Sequence, residues 1–178
     1  MQNKSLFSFI LILCGVIMLS GCSSKVEDYK GTTPVFSLQE YFTGPIKAWG
    51  IVQDRSGKVV QRVDIDMVGK WTGDTGTLAE TLKYYDGRVE QRTWQLKKTS
   101  ENKFTGTAEG IVGIGTAESN GMAIRWQYVM TVPVGDTTYD ITFDDWMYAM
   151  NDNILVNRSY MKKFGIKVAE ISLFMQKP

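Results

Sequence analysis

The stretch Met122-Ala-Ile-Arg-Trp-Gln-Tyr-Val-Met-Thr-Val132 decides the fold class. Met122, Ile124, Trp126, Tyr128, Met130 and Val132 fall on alternate positions, so they share one face of an extended strand and leave Arg125 and Gln127 on the other. A helix would scatter the same residues around its axis. The same period of two recurs on either side. Val59, Val63, Ile65 and Met67 share a face around Gln61. Tyr139, Ile141 and Phe143 alternate with Asp140, Thr142 and Asp144, and Ala169, Ile171, Leu173 and Met175 alternate near the C-terminus.

Between these runs lie Ser56-Gly57, Asp86-Gly87, Asn120-Gly121 and Gly135-Asp136, dipeptides suited to tight hairpins. The spacing predicts eight to ten strands, near 46–54, 58–70, 76–85, 89–98, 103–108, 111–118, 122–133, 137–146, 153–159 and 167–176. No segment between them is long enough for a helical crossover, which argues against a parallel sheet. Consecutive antiparallel strands bury one apolar face and remove exposed edges by closing on themselves. The expected fold is all-β: a single antiparallel meander barrel, lipocalin-like. Upstream, Ser37 with Glu40 three residues on predicts a capped helical turn.

The N-terminus carries a different signal. Lys4 precedes an apolar run from Leu6 to Leu19, the length of a secretory hydrophobic region and short for a bilayer span. Leu19-Ser20-Gly21-Cys22 resembles the lipobox of bacterial lipoproteins, in which small residues precede the cut and the cysteine thiol takes the lipid. The expectation is a signal peptide over 1–21, a lipidated tether over 22–33 and a β-barrel domain over 34–178. Acylation at Cys22, palmitate among the chains, would anchor the product on a membrane. By resemblance to Gram-negative lipoproteins, Ser23 after the cysteine favours the periplasmic face of the outer membrane.

Composition narrows the chemistry. Of 20 basic and 19 acidic residues, only Lys4 lies in the segment expected to be removed, so the mature chain is formally neutral. That balance argues against a nucleic-acid binder. The chain has no histidine, and Cys14, its other cysteine, lies in the leader. Histidine- or thiol-dependent catalysis and zinc or haem ligation by those groups are thereby excluded from the mature domain. The expectation is accordingly of no enzyme, no metal and no cofactor. Asn151-Asp152-Asn153 is better read as a tight turn than as a calcium loop.

Candidate ligand-contacting residues come from three places. Gly69-Lys70-Trp71 resembles the Gly-x-Trp element of lipocalin-like barrels, with Trp71 plugging one end. Trp126, Tyr128 and Met130 could line an adaptable apolar cavity or fill a solid core. Two segments are dense in polar and aromatic residues: Gly44–Gly57, containing Trp49, and Phe143–Gly165, containing Asp144, Asp145, Trp146 and Arg158. Asp144 or Asp145 could pair with Arg158 across a hairpin at a barrel mouth.

The lipobox, GPIKAWGIVQDRSG at 44–57, VGKWTGDTGTL at 68–78, FDDWMYAMND at 143–152 and NRSYMKKFG at 157–165 resemble the bacterial lipoproteins grouped as domain of unknown function 3833. The resemblance implies an envelope lipoprotein with a lipocalin-like barrel. It carries no catalytic residues to transfer and mildly favours an acyl ligand. The leading expectation is a membrane-tethered barrel that binds or passes a small apolar, fatty acyl-like molecule. The alternative is a filled barrel whose outer surface recruits an envelope protein partner.

Overall fold

The structure, a computed structural model, describes residues 24–178; the expected signal peptide, Cys22 and Ser23 lie outside the described residues. Ten strands run β1 (Gly44–Asp54), β2 (Val59–Thr72), β3 (Thr75–Tyr84), β4 (Val89–Ser100), β5 (Lys103–Thr107), β6 (Ile111–Asn120), β7 (Ala123–Val134), β8 (Thr137–Ala149), β9 (Ile154–Lys163) and β10 (Ile166–Gln176). Each pairs antiparallel with the next, and β1 closes the barrel on β10 from Lys47↔Gln176 to Asp54↔Ala169. The alternation read around Trp126 holds throughout. Register places Ile124, Trp126, Tyr128 and Met130 opposite Met147, Asp145, Phe143 and Ile141, all on the inner face.

One end is sealed. Helix α1 (Leu38–Tyr41) starts at Ser37, whose hydroxyl accepts the Glu40 N–H. It swings Phe36, Leu38, Tyr41 and Phe42 under the barrel, where all four are buried. Trp71 meets this plug by donating its indole N–H to the Phe42 carbonyl at 3.2 Å. Gly69 makes the approach possible: a Cβ there would stand 1.8 Å from the same oxygen. Above the plug, Ile46, Ile124 and Leu155 are almost wholly buried, so this half is a packed core.

Within the segment expected as a tether over 22–33, the chain packs on the barrel from Val26 onward. A short 3₁₀ turn over Val26–Tyr29 lies on the outer wall, with the Tyr29 ring 5.9 Å from Trp146 and 5.6 Å from Tyr148. Burying Val26 and those rings outweighs the entropy of a free segment. Among the described residues no helix is long and apolar enough to cross a membrane.

Candidate functional site

Polar residues interrupt the inner face in the half away from the plug. On β3 the inward series is Leu78, Glu80, Leu82; on β4 it is Arg92, Trp94, Leu96. On β8 it is Phe143, Asp145, Met147, and on β9 Asn157 and Ser159 stand between Leu155 and Met161. A charge in the apolar phase of a strand is costly unless it is partnered or solvated. Here both conditions are partly met. Glu80 and Arg92 are direct cross-strand neighbours, with Oε2 to Nη1 at 3.9 Å, and their side chains keep 14% and 19% exposure. Tyr84, Tyr128, Asp145, Met161 and Ile171 also point inward yet are only half-buried. The barrel thus has a solid apolar lower half and an upper half whose inward polar side chains are only partly exposed.

The lumen carboxylates are electrostatically unusual. Burial pushes Asp145 up to about 7, against the pull of hydrogen bonds from Ser159 and Tyr128 and with the help of the Asp144 and Glu80 charges. Burial likewise pushes Glu80 up to about 6, opposed by the Arg92 guanidinium and the Trp94 indole. Tyr128 is driven well above its ordinary value by burial and by the Asp145 charge beside it. A carboxyl poised near neutrality can hold or release a proton at working pH.

Aromatic rings bridge the two carboxylates. Trp94 meets Trp126 edge-on at 5.5 Å and Tyr128 at 5.2 Å, and Tyr128 stacks on Phe143 at 4.9 Å. The indole of Trp126 needs the missing side chain of Gly106, where a Cβ would lie 2.7 Å from its Cζ2. Met130, Ile141 and Phe143, with Val132, Met161 and Ile171, form the apolar wall on the β7–β10 side.

Trp126, Tyr128, Met130 and Asp145 therefore share the lumen, and Trp71 stands at its closed end. Trp49, Asp144, Trp146 and Arg158 do not join them, because register turns all four outward. Trp49 is 41% exposed and tilts against Phe174 at 6.2 Å. Trp146 lies under Tyr29, with the Arg125 guanidinium 5.2 Å from its ring. Arg158 does not pair with Asp144 or Asp145: it faces Trp146 in register and bonds Glu170 at 2.6 Å. Asp144 is instead clasped by Arg125 at 2.6 and 2.9 Å and by Lys162 at 2.6 Å. Burial alone would raise its pKa, but those hydrogen bonds outweigh it and hold the carboxyl below its ordinary value.

Sequence reasoning missed Glu80, Arg92, Trp94 and Ser159. The signal was there for Glu80 and Arg92, since both stand in the apolar phase of an alternating strand. Ser159 gave none, because a small hydroxyl in that phase is ordinary.

The family model for proteins of unknown function DUF3833 matches residues 16–177, nearly the whole chain. The chain belongs to the DUF3833 family. No curated protein matches its sequence. Among solved structures, this DUF3833 barrel is similar to the S-type phycobiliprotein lyase CPES from Guillardia theta. The TM-score is 0.53 at 10% identity, covering 80% of this chain and 94% of the lyase. The barrel is lipocalin-like, as read from the strands. The expectation of no enzyme is corrected by this finding, since a barrel of similar fold serves a lyase.

Proposed function

We propose that this DUF3833 protein is a lipid-anchored envelope protein whose lumen binds a small amphiphilic, fatty acyl-like molecule. The anchor is acylated Cys22, and the location is the periplasmic face of the outer membrane. The ligand's apolar body lies along Met130, Ile141, Phe143, Met161 and Ile171. Its polar end reaches Arg92 on one side and Asp145, Tyr128 and Ser159 on the other. The observation that carries this reading is the Glu80–Arg92 pair on the inner face of the barrel, where both side chains keep partial exposure. At 3.9 Å the pair is loose, so guanidinium N–H donors stay available for a carboxylate or carbonyl.

A second reading builds on the first: Asp145 moves a proton on the bound molecule. Its raised pKa and the use of the same barrel by a lyase support it.

Purification from the native host, followed by organic extraction and mass spectrometry, tests the binding reading. A stoichiometric amphiphile, lost from an Arg92→Leu variant that still folds, is the expected result. A clean extract, together with no thermal shift on adding fatty acids, contradicts it. Metabolic labelling with palmitate, compared with Cys22→Ser, tests the anchor separately.

A further inference from the structure

We infer that the open end of the barrel docks onto an anionic lipid surface through the turn between β9 and β10. This goes beyond the ligand reading and does not depend on it. Phe164 at the tip of that turn is 93% exposed, the most exposed large apolar side chain among the described residues. Its backbone sits at φ 51°, in the left-handed region that a bulky residue rarely takes. A glycine would fit this position with less strain and no exposed ring. Ile166 on the same turn and Tyr139 on the adjoining strand are exposed as well, so three large apolar groups share one stretch of rim.

The surroundings of that wedge are basic. Asp54 pairs with Ala169, which brings the β1–β2 turn beside the β9–β10 turn. Residues 55–58 and 162–167 together hold Arg55, Lys58, Lys162, Lys163 and Lys167 and no acid. Of the acids near them, Asp144 and Glu170 are held in ion pairs, while among the described residues Asp54, Asp140 and Asp136 of the β7–β8 turn are in none. Asp144 takes Lys162 and Arg125, and Glu170 takes Lys167 and Arg158. Asp54 accepts N–H groups of its own turn, and Asp140 accepts the Thr131 hydroxyl. Lys163 instead lies 3.5 Å from the centre of the Tyr139 ring and 5.2 Å from that of Phe164.

An apolar side chain on a projecting tip, framed by cations, matches the interfacial zone of a negatively charged bilayer. The ring enters the acyl boundary while the ammonium groups stay among the phosphates. A protein partner would need a preformed pocket for Phe164, whereas lipid adapts to a convex tip. The arrangement also turns the lumen mouth toward the bilayer.

Residues 24–178 contain all ten described strands and the plug, so this non-acylated chain suits the test. It is mixed with phosphatidylcholine vesicles, with and without phosphatidylglycerol, and co-sedimented. Binding is expected only with phosphatidylglycerol present and is expected to fall with added salt. Phe164→Ser with Ile166→Ser should weaken it on the order of tenfold or more. Lys163→Gln should weaken it by about fivefold, the share of one cation near a charged surface. Phe164 and Ile166 are exposed and Lys163 is partly so, so unchanged far-ultraviolet circular dichroism and melting temperature should accompany the loss. No binding to phosphatidylglycerol vesicles, equal binding to pure phosphatidylcholine, or full binding by the Phe164 variant would each overturn the inference.

Discussion

Inside the lumen the Ser159 hydroxyl donates to the Asp145 carboxylate, while Asp144, one residue back, faces outward to Arg125 and Lys162. Two adjacent aspartates thus meet opposite environments, and their pKa values move in opposite directions. Asp145 rises to about 7 and Asp144 falls. Strand geometry alone separates them, since successive side chains leave opposite faces.

Stability should therefore decline between pH 4 and 7. In the unfolded chain Asp145 and Glu80 lose their protons near pH 4; in the folded chain they keep them to about 7 and about 6. Across that window the folded state binds more protons, so rising pH favours unfolding, and the decline ends above pH 7. Asp144 acts in a separate window: its contribution is present above the unfolded value and is lost at more acid pH. Asp145→Asn should flatten the decline and raise the melting temperature at pH 8 by roughly 5 °C. Thermal melts across the pH series check this, and an unchanged slope in the variant would refute it.

Removing the Asp144 charge should be harmful. Asp144→Asn leaves Arg125 and Lys162 facing one another with no anion between them. The carboxylate is 4% exposed, but its partners keep 25% and 33%, so solvent screens part of the loss. The expected cost is about 2 kcal/mol, below the range for a fully buried pair. Urea titration measures it, and a change under about 0.5 kcal/mol would show that the cluster is ornamental.

Gly69 and Gly106 should resist substitution for different reasons. Gly106→Ala presses on the Trp126 ring and on Leu96 and should cost about 1–3 kcal/mol, with an altered near-ultraviolet spectrum. Gly69→Ala meets the Phe42 carbonyl, a backbone atom that cannot rotate away. It should displace the plug, which protease digestion around residues 36–42 would register. Equal stability of the two variants and the parent would contradict the packing described here.

Much of this architecture was legible from residue alternation, because a closed meander needs only period two and turn residues. Ten strands form near the expected spans, though β8 and β9 run on to Ala149 and Lys163, past the expected ends at 146 and 159. The site was harder to read because it depends on register. Nothing local to the sequence says that Trp146, and not Asp144 or Asp145, stands opposite Arg158. Aromatic density misled for Trp49 and Trp146, which lie out of phase with their inward neighbours Ile46, Ala48 and Met147. The docking of Tyr29 on Trp146 and Tyr148 joins residues more than a hundred positions apart, beyond any local pattern.

In the proposed function, Arg92 and its neighbours make the lumen a binding site for an amphiphile. Calorimetric titration of residues 24–178 with dodecanoate, in parallel with Arg92→Leu, tests it most directly. Saturable binding near one molecule per chain, weakened on the order of tenfold or more by the loss of one charge-assisted hydrogen-bond partner, is the predicted result. No heat in either protein, or equal binding by both, would contradict it.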